Sequence, residues 1–184
     1  MKKKVFIISG IVIVASVFLF LWFKNYTKKH SPVATSTYQA KGANLEVVYC
    51  KPQKKGRLIF GDVASGALQP YGRYWRIGAN EATTFSTDKD LEIGSGNLKA
   101  GKYQLYAIPD KKNWQIFFNS EWDRWGATRA NHITDVLSIS VPVKNDAEEK
   151  EILSIQFKTE MMDKSTFLLI HWDKSQVSIP FKVK

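Results

Sequence analysis

The chain has 184 residues, 27 Lys and Arg against 17 Asp and Glu for a formal net charge of +10, and a single cysteine. One cysteine excludes an intramolecular disulfide, so the fold must stand on its hydrophobic core. The surplus charge does not make a nucleic-acid footprint. Six basic residues flank an N-terminal apolar run, and from His30 onward 21 basic residues face 17 acidic ones. That is an ordinary soluble surface rather than a clustered phosphate-binding patch, and no nucleic-acid partner is expected.

Lys2, Lys3 and Lys4 precede a run from Val5 to Phe23 that carries no charge. As a helix this run is about 28 Å long, close to the hydrocarbon thickness of a bilayer. A cleaved signal peptide has an apolar region of roughly 7–15 residues and a small-x-small site close behind it. Here Trp22, Phe23, Lys24, Asn25 and Tyr26 follow, and the nearest small residues are Ala34-Thr35-Ser36. The segment therefore reads as an uncleaved anchor. Residues 1–4 form a cytoplasmic tail, 5–23 the transmembrane span, 24–33 a flexible polar linker, and 34–184 the extracytoplasmic domain. A short, strongly positive tail resists crossing while a long domain translocates largely regardless of charge. This predicts a single-pass protein with its domain on the periplasmic face of the inner membrane. The lysines beside the span are expected to sit against anionic headgroups.

Beyond the linker, short runs rich in Val, Ile, Thr and aromatics recur between turn signals. They are Leu45–Cys50, Leu58–Phe60, Thr83–Thr87, Lys102–Ile108, Trp114–Asn119, Val136–Val143, Ile152–Lys158, Thr166–Trp172 and Gln176–Val183. In the last of these, Val177, Ile179, Phe181 and Val183 alternate with Gln176, Ser178, Pro180 and Lys182, the period of a strand with one buried face. No sustained helical stripe occurs outside the anchor. The pattern predicts an all-β domain, an antiparallel β-sandwich of jelly-roll-like form. Pro180 predicts that the last strand is at least partly an edge.

Chemistry-bearing residues gather in the middle of the chain. All five arginines lie between residues 57 and 129, among aromatics and glycines, whereas the lysines run the whole length. Arginine suits ring stacking and bidentate pairing, so its confinement points to fixed geometry there. Glu81 with Arg76 admits a catalytic carboxylate or, with more weight, an ion pair bracing a loop. Tyr71, Trp75, Trp122 and Trp125 admit a stacking platform for sugar rings or a filled core. His132 and Asp135, three apart, do not reach a metal-ligand pattern, and no metal or cofactor is expected. Cys50 and His171 read as buried strand residues.

Several blocks together resemble one family. Gly56-Arg57-Leu58-Ile59-Phe60-Gly61, Pro70-Tyr71-Gly72, Trp75-Arg76-x-Gly78-Ala79-Asn80-Glu81-Ala82-Thr83 and Ala100-Gly101-x-Tyr103-x-Leu105-x-x-Ile108-Pro109 are similar to the bacterial domain-of-unknown-function family 2911. Trp114, Asn119 and Trp125-Gly126 follow in order. The resemblance spans roughly Ser31 to Phe181 and implies an exported β-rich domain without an assigned activity. Two positions depart from the family pattern: Ala127–His132 lacks the tyrosine expected after Trp125-Gly126, and Ser138 stands where arginine often follows Leu137. The candidate ligand-binding set is Arg57, Tyr71, Trp75, Arg76, Asn80, Glu81, Asn119, Trp125 and His132. Three functional readings stand open: binding of a saccharide or other envelope component through Tyr71–Glu81, an envelope hydrolase using Glu81 with His132 or Asp135, and an interaction module for an envelope protein.

Overall fold

The structure, a computed structural model, describes residues 2–40, 42–124, 126, 128–160 and 165–184. It opens with α1 (Lys2–His30), followed by β1 (Val33–Ala40), β2 (Ala43–Cys50), β3 (Phe60–Gly61), β4 (Gln69–Pro70) and β5 (Thr84–Thr87). Then come β6 (Leu91–Ile93), β7 (Gly96–Leu98), β8 (Gly101–Ile108) and β9 (Asn113–Asn119). The chain closes with β10 (Asp135–Lys144), β11 (Lys150–Thr159), β12 (Thr166–Asp173) and β13 (Ser175–Val183). Among the described residues α1 is long and apolar enough, over Gly10–His30, to cross a membrane or to serve as a signal sequence.

The domain is antiparallel β-structure. Its strands run β1-β2-β5-β8-β9-β10-β13-β12-β11, with the β6–β7 hairpin attached to β13 and a separate parallel pair, β3–β4. β10 is the seam. Its residues from Asp135 to Pro142 pair with β9, whereas Val143 and Lys144 pair with β13. The sheet folds there into two layers, and the order β10-β13-β12-β11 is a Greek key. The two ends of the sheet meet where Tyr38 of β1 packs on Phe157 and Phe181, with ring centroids 5.7 and 5.5 Å apart.

Alternation explains the core. Leu45, Val47, Phe85, Leu105 and Phe118 of one layer meet Leu168, Ile170, Val177 and Ile179 of the other, all essentially sealed from solvent. At one end the core is aromatic. Trp75 stacks on Trp172 at 6.0 Å and meets Trp114 and Phe60 edge-on at 5.5 and 5.2 Å.

Two sequence expectations change here and a third is narrowed. The polar stretch 24–33 is not a flexible spacer, because α1 continues to His30 and β1 begins at Val33. β1 itself lay outside the expected strands. Pro180 marks a local gap in pairing rather than an edge strand, since β13 as a whole is interior. Its flank pairs with β10 at residues 176–177 and with β6 at 181–183, so Pro180 falls in the gap between those partners.

His171 lies on the less apolar face of β12 and is buried, and its Nε2–H donates to the Glu148 carbonyl at 2.8 Å. Burial pushes its pKa below the ordinary 6.5. A depressed pKa stabilises the fold at pH above the unfolded value, and that stability is lost as pH falls through the folded value. Thermal melts from pH 7.5 to 5.5 should therefore show declining stability, with a shallower decline in His171→Gln.

Candidate functional site

The Tyr71–Thr83 segment runs beside β8 where β5 has ended. Trp75 exchanges two backbone hydrogen bonds with Ala107, each 2.8 Å, and the Leu105 N–H donates to the Thr83 carbonyl at 2.8 Å. Between these ties the chain makes an abrupt detour. Ile77 and Asn80 have φ of 51° and 55°, a costly left-handed conformation for a β-branched residue such as isoleucine. Ile77 is held there by complete burial and by the Thr83 hydroxyl, which donates to the Ile77 carbonyl at 2.6 Å. A Cβ on Gly78 would press to 3.1 Å from the Cys50 carbonyl oxygen, and one on Gly126 would overlap the backbone of Asn80 and Glu81. The block is thus shaped by close backbone packing.

Its charged residues look away from each other. The Arg76 guanidinium donates from Nη1 to the Gly126 carbonyl at 3.0 Å. Glu81 instead takes Lys28 Nζ at 3.3 Å and the Cys50 thiol at 3.4 Å. The expected Arg76–Glu81 ion pair is therefore replaced by two separate ties, one to the β9–β10 connection and one to α1. Burial works to raise the Glu81 pKa, but its own backbone N–H, the Cys50 thiol and the Lys28 ammonium outweigh it, leaving the carboxyl below its usual range. Burial also pushes the Cys50 thiol up, which keeps it protonated at neutral pH. Asn80 Nδ2 reaches the carbonyls of Thr27 and Ser31 at 3.4 Å each, where α1 ends and the chain turns into β1.

A second cluster lies on the sheet face opposite the core. Leu105 and Phe118 point inward, so Gln104, Tyr106, Phe117 and Asn119 take the other side by strand alternation. That side is buried too, beneath Tyr74 and the β9–β10 connection. Tyr106 stacks flat on Phe117 at 4.7 Å and tilts against Tyr74 at 5.0 Å. The Tyr106 hydroxyl donates to Asp135 Oδ2 at 2.6 Å, and Asn119 Nδ2 donates to Asp135 Oδ1 at 2.7 Å and to the Asn131 carbonyl at 2.8 Å. Asn119 Oδ1 accepts from the Glu121 N–H at 2.9 Å and from the Thr134 hydroxyl at 3.2 Å. Burial and the Asp135 carboxylate drive the Tyr106 pKa far upward, so it remains a phenol donor.

Over this buried base sits His132, its side chain 59% exposed. Its Nδ1 lies 2.8 Å from the Tyr106 oxygen and 3.1 Å from Asp135 Oδ2. With Tyr106 donating to Asp135, Nδ1–H is the group that points at these two oxygens, and in the neutral ring Nε2 is then the acceptor. Such a histidine can take a proton or a hydrogen bond from a bound molecule. Earlier in the same connection, Ser120 to Arg124 line a cavity of about 370 Å³. There Glu121 and Arg124 pair, and Lys102 Nζ sits 4.3 Å from the ring of the partly exposed Trp122.

The nine candidate residues thus divide among several places. Asn119 and His132 come together with Asp135. Asn80 and Glu81 meet the end of α1, with Arg76 tied to Gly126 close by. Tyr71 is half-buried against the core, and Trp75 is 2% exposed, so its ring fills the core rather than offering a stacking platform. Arg57 lies in a turn after β2, bound to the Lys54 and Gln53 carbonyls. Trp125 lies outside the described residues. No hydrogen bond or ion pair joins Glu81 to His132 among the described residues. Tyr74, Gln104 and Tyr106 were missed; the signal was a glutamine and a tyrosine on the nominally outward face of a strand rich in large residues.

Residues 31–181 match the model of a family described as Protein of unknown function (DUF2911). No curated protein and no solved structure matches the chain. The matched region takes in the β domain up to the last residues of β13, including both the detour at Ile77–Asn80 and the buried network under His132, and the chain belongs to the DUF2911 family.

Proposed function

We propose that this chain is a membrane-anchored, extracytoplasmic binding protein whose recognition surface is the β9–β10 connection around Trp122 and His132, and whose ligand is an envelope saccharide such as a peptidoglycan fragment. The observation that carries this reading is the buried Tyr106–Asn119–Asp135 network beneath an exposed histidine. Buried polar groups are costly unless paired, and here they are paired in the service of a surface loop. An exposed indole with arginine and histidine nearby in sequence suits a sugar ring and its hydroxyls. The Tyr71–Glu81 segment then acts as scaffold, bracing the connection through Arg76 and Gly126. Screening glycans and muropeptides should find a ligand whose affinity falls at least tenfold in Trp122→Ala and His132→Ala, both still folded. Equal binding by all three proteins would remove the reading.

One observation favours a second reading, hydrolysis with His132 as general base. Asp135 fixes its Nδ1 while the side chain stays mostly exposed, the arrangement a proton acceptor needs. Glu81 has no place in this version, because its carboxylate is taken by Lys28 and Cys50. Muropeptide cleavage by wild type and none by His132→Ala, read by mass spectrometry, would support it. No products from either protein would end it.

A further inference from the structure

Where α1 meets the domain, His30, Ser31, Pro52, Gln53, Lys55 and Arg57 line a cavity of about 350 Å³. The chain between Lys54 and Arg57 is a tight left-handed turn. Lys55 and Gly56 have φ of 50° and 68°, and the Arg57 N–H donates to the Lys54 carbonyl at 3.1 Å. This turn sorts the charges. Lys54 is neutralised by Glu149 and Asp173, both at 2.6 Å. Glu151 Oε1 accepts from the Lys55 backbone N–H at 2.7 Å. Lys55 Nζ donates to His30 Nδ1 at 3.3 Å, and among the described residues neither Lys55 nor Arg57 forms an ion pair. The Arg57 guanidinium is held from behind, Nε on the Lys54 carbonyl at 2.9 Å and Nη2 on the Gln53 carbonyl at 2.5 Å, so its other donors are pre-positioned.

The rim is apolar. Leu58 and Leu68 are 48% and 38% exposed and adjacent, the Leu68 N–H donating to the Leu58 carbonyl at 2.9 Å, and Val63 is 59% exposed in the loop between them. A cationic pocket, exposed leucines and the end of a membrane-length helix thus occur together. The negative end of the α1 dipole is offset by Lys28, Lys29 and His30 in its last turn.

We infer that this pocket binds the phosphodiester of an anionic phospholipid headgroup, such as that of phosphatidylglycerol, in the membrane that α1 enters. The inference rests on the anchored reading above. Lys55 supplies a point charge to the phosphate oxygens, Arg57 supplies a planar fork, and Leu58 and Leu68 meet the boundary between headgroup and acyl chain. Soluble phosphates share this chemistry, so the source must be separated by experiment.

The full chain in nanodiscs, read by native mass spectrometry, should retain phosphatidylglycerol in preference to phosphatidylcholine. Lys55→Gln should lower that preference about fivefold, and the Lys55→Gln/Arg57→Gln double variant by about twentyfold or more. Lys182→Gln, near the opposite end of β13, should leave it intact. The single variant serves if the double one fails to fold. A preference that survives Lys55→Gln, or none in wild type, overturns the inference. Stabilisation of the detergent-purified chain by inorganic phosphate or glycerophosphoglycerol, without lipid preference, overturns the lipid source. Release of the chain by alkaline carbonate extraction of membranes would instead refute the anchored reading, whatever the pocket binds.

Discussion

Trp75→Ala is expected to destabilise the domain by about 3–5 kcal/mol, the cost of emptying a large aromatic site in a packed core. For a domain of this size that shifts Tm by on the order of 10 °C. The reason is local and specific: Trp75 touches Trp172, Trp114 and Phe60, and its backbone is bonded to Ala107. Trp75→Phe should cost much less, about 1–2 kcal/mol, because the indole Nε1 is buried without a hydrogen-bond partner among the described residues. Were this ring a surface platform for a ligand, its loss would change stability by no more than about 0.5 kcal/mol. Urea denaturation of both variants decides the matter, provided the m-value is unchanged.

Asp135→Ala should cost about 2–4 kcal/mol, while His132→Ala should cost no more than about 1. The two side chains are 3.1 Å apart, yet their positions differ completely. The Asp135 side chain is 12% exposed and receives hydrogen bonds from Tyr106 and Asn119, both fully buried. Removing it leaves the buried Tyr106 hydroxyl with His132 Nδ1 alone and the Asn119 amide with a single acceptor, the Asn131 carbonyl. His132 gives up a mostly solvated ring and the Nδ1 contacts with two oxygens that keep each other as partners. The contrast separates a group that holds the β9–β10 connection in place from a group the connection presents. Equal costs for the two variants would show that His132 is itself a structural element.

These expectations differ in how far the sequence alone could carry them. The alternation in β12 and β13 was plain because Leu168, Ile170, Trp172, Val177, Ile179 and Phe181 all pack into one core. β1 was not plain. Its sequence, VATSTYQA, carries one large ring, and it is a strand because it pairs with β2 along its whole length. The continuation of α1 was equally hidden, since Asn80 and Glu81, some fifty residues away, dock its last turn. The Trp75–Thr83 block was conspicuous as a motif, but its purpose lay in distant contacts: the Cys50 backbone against Gly78 and the Gly126 backbone against Asn80. The candidate site suffered most. His132 and Asp135 stood out as a pair and Asn119 on its own, but Tyr106 joins them only once β8, β9 and β10 lie side by side.

The claim that the β9–β10 connection is a recognition surface can be tested most directly by calorimetric titration of purified muropeptides into the full chain and into His132→Ala. The expected result is saturable binding by wild type and at least a tenfold loss in the variant, with urea midpoints that stay close. Binding of equal strength by both proteins, or by neither, would contradict it.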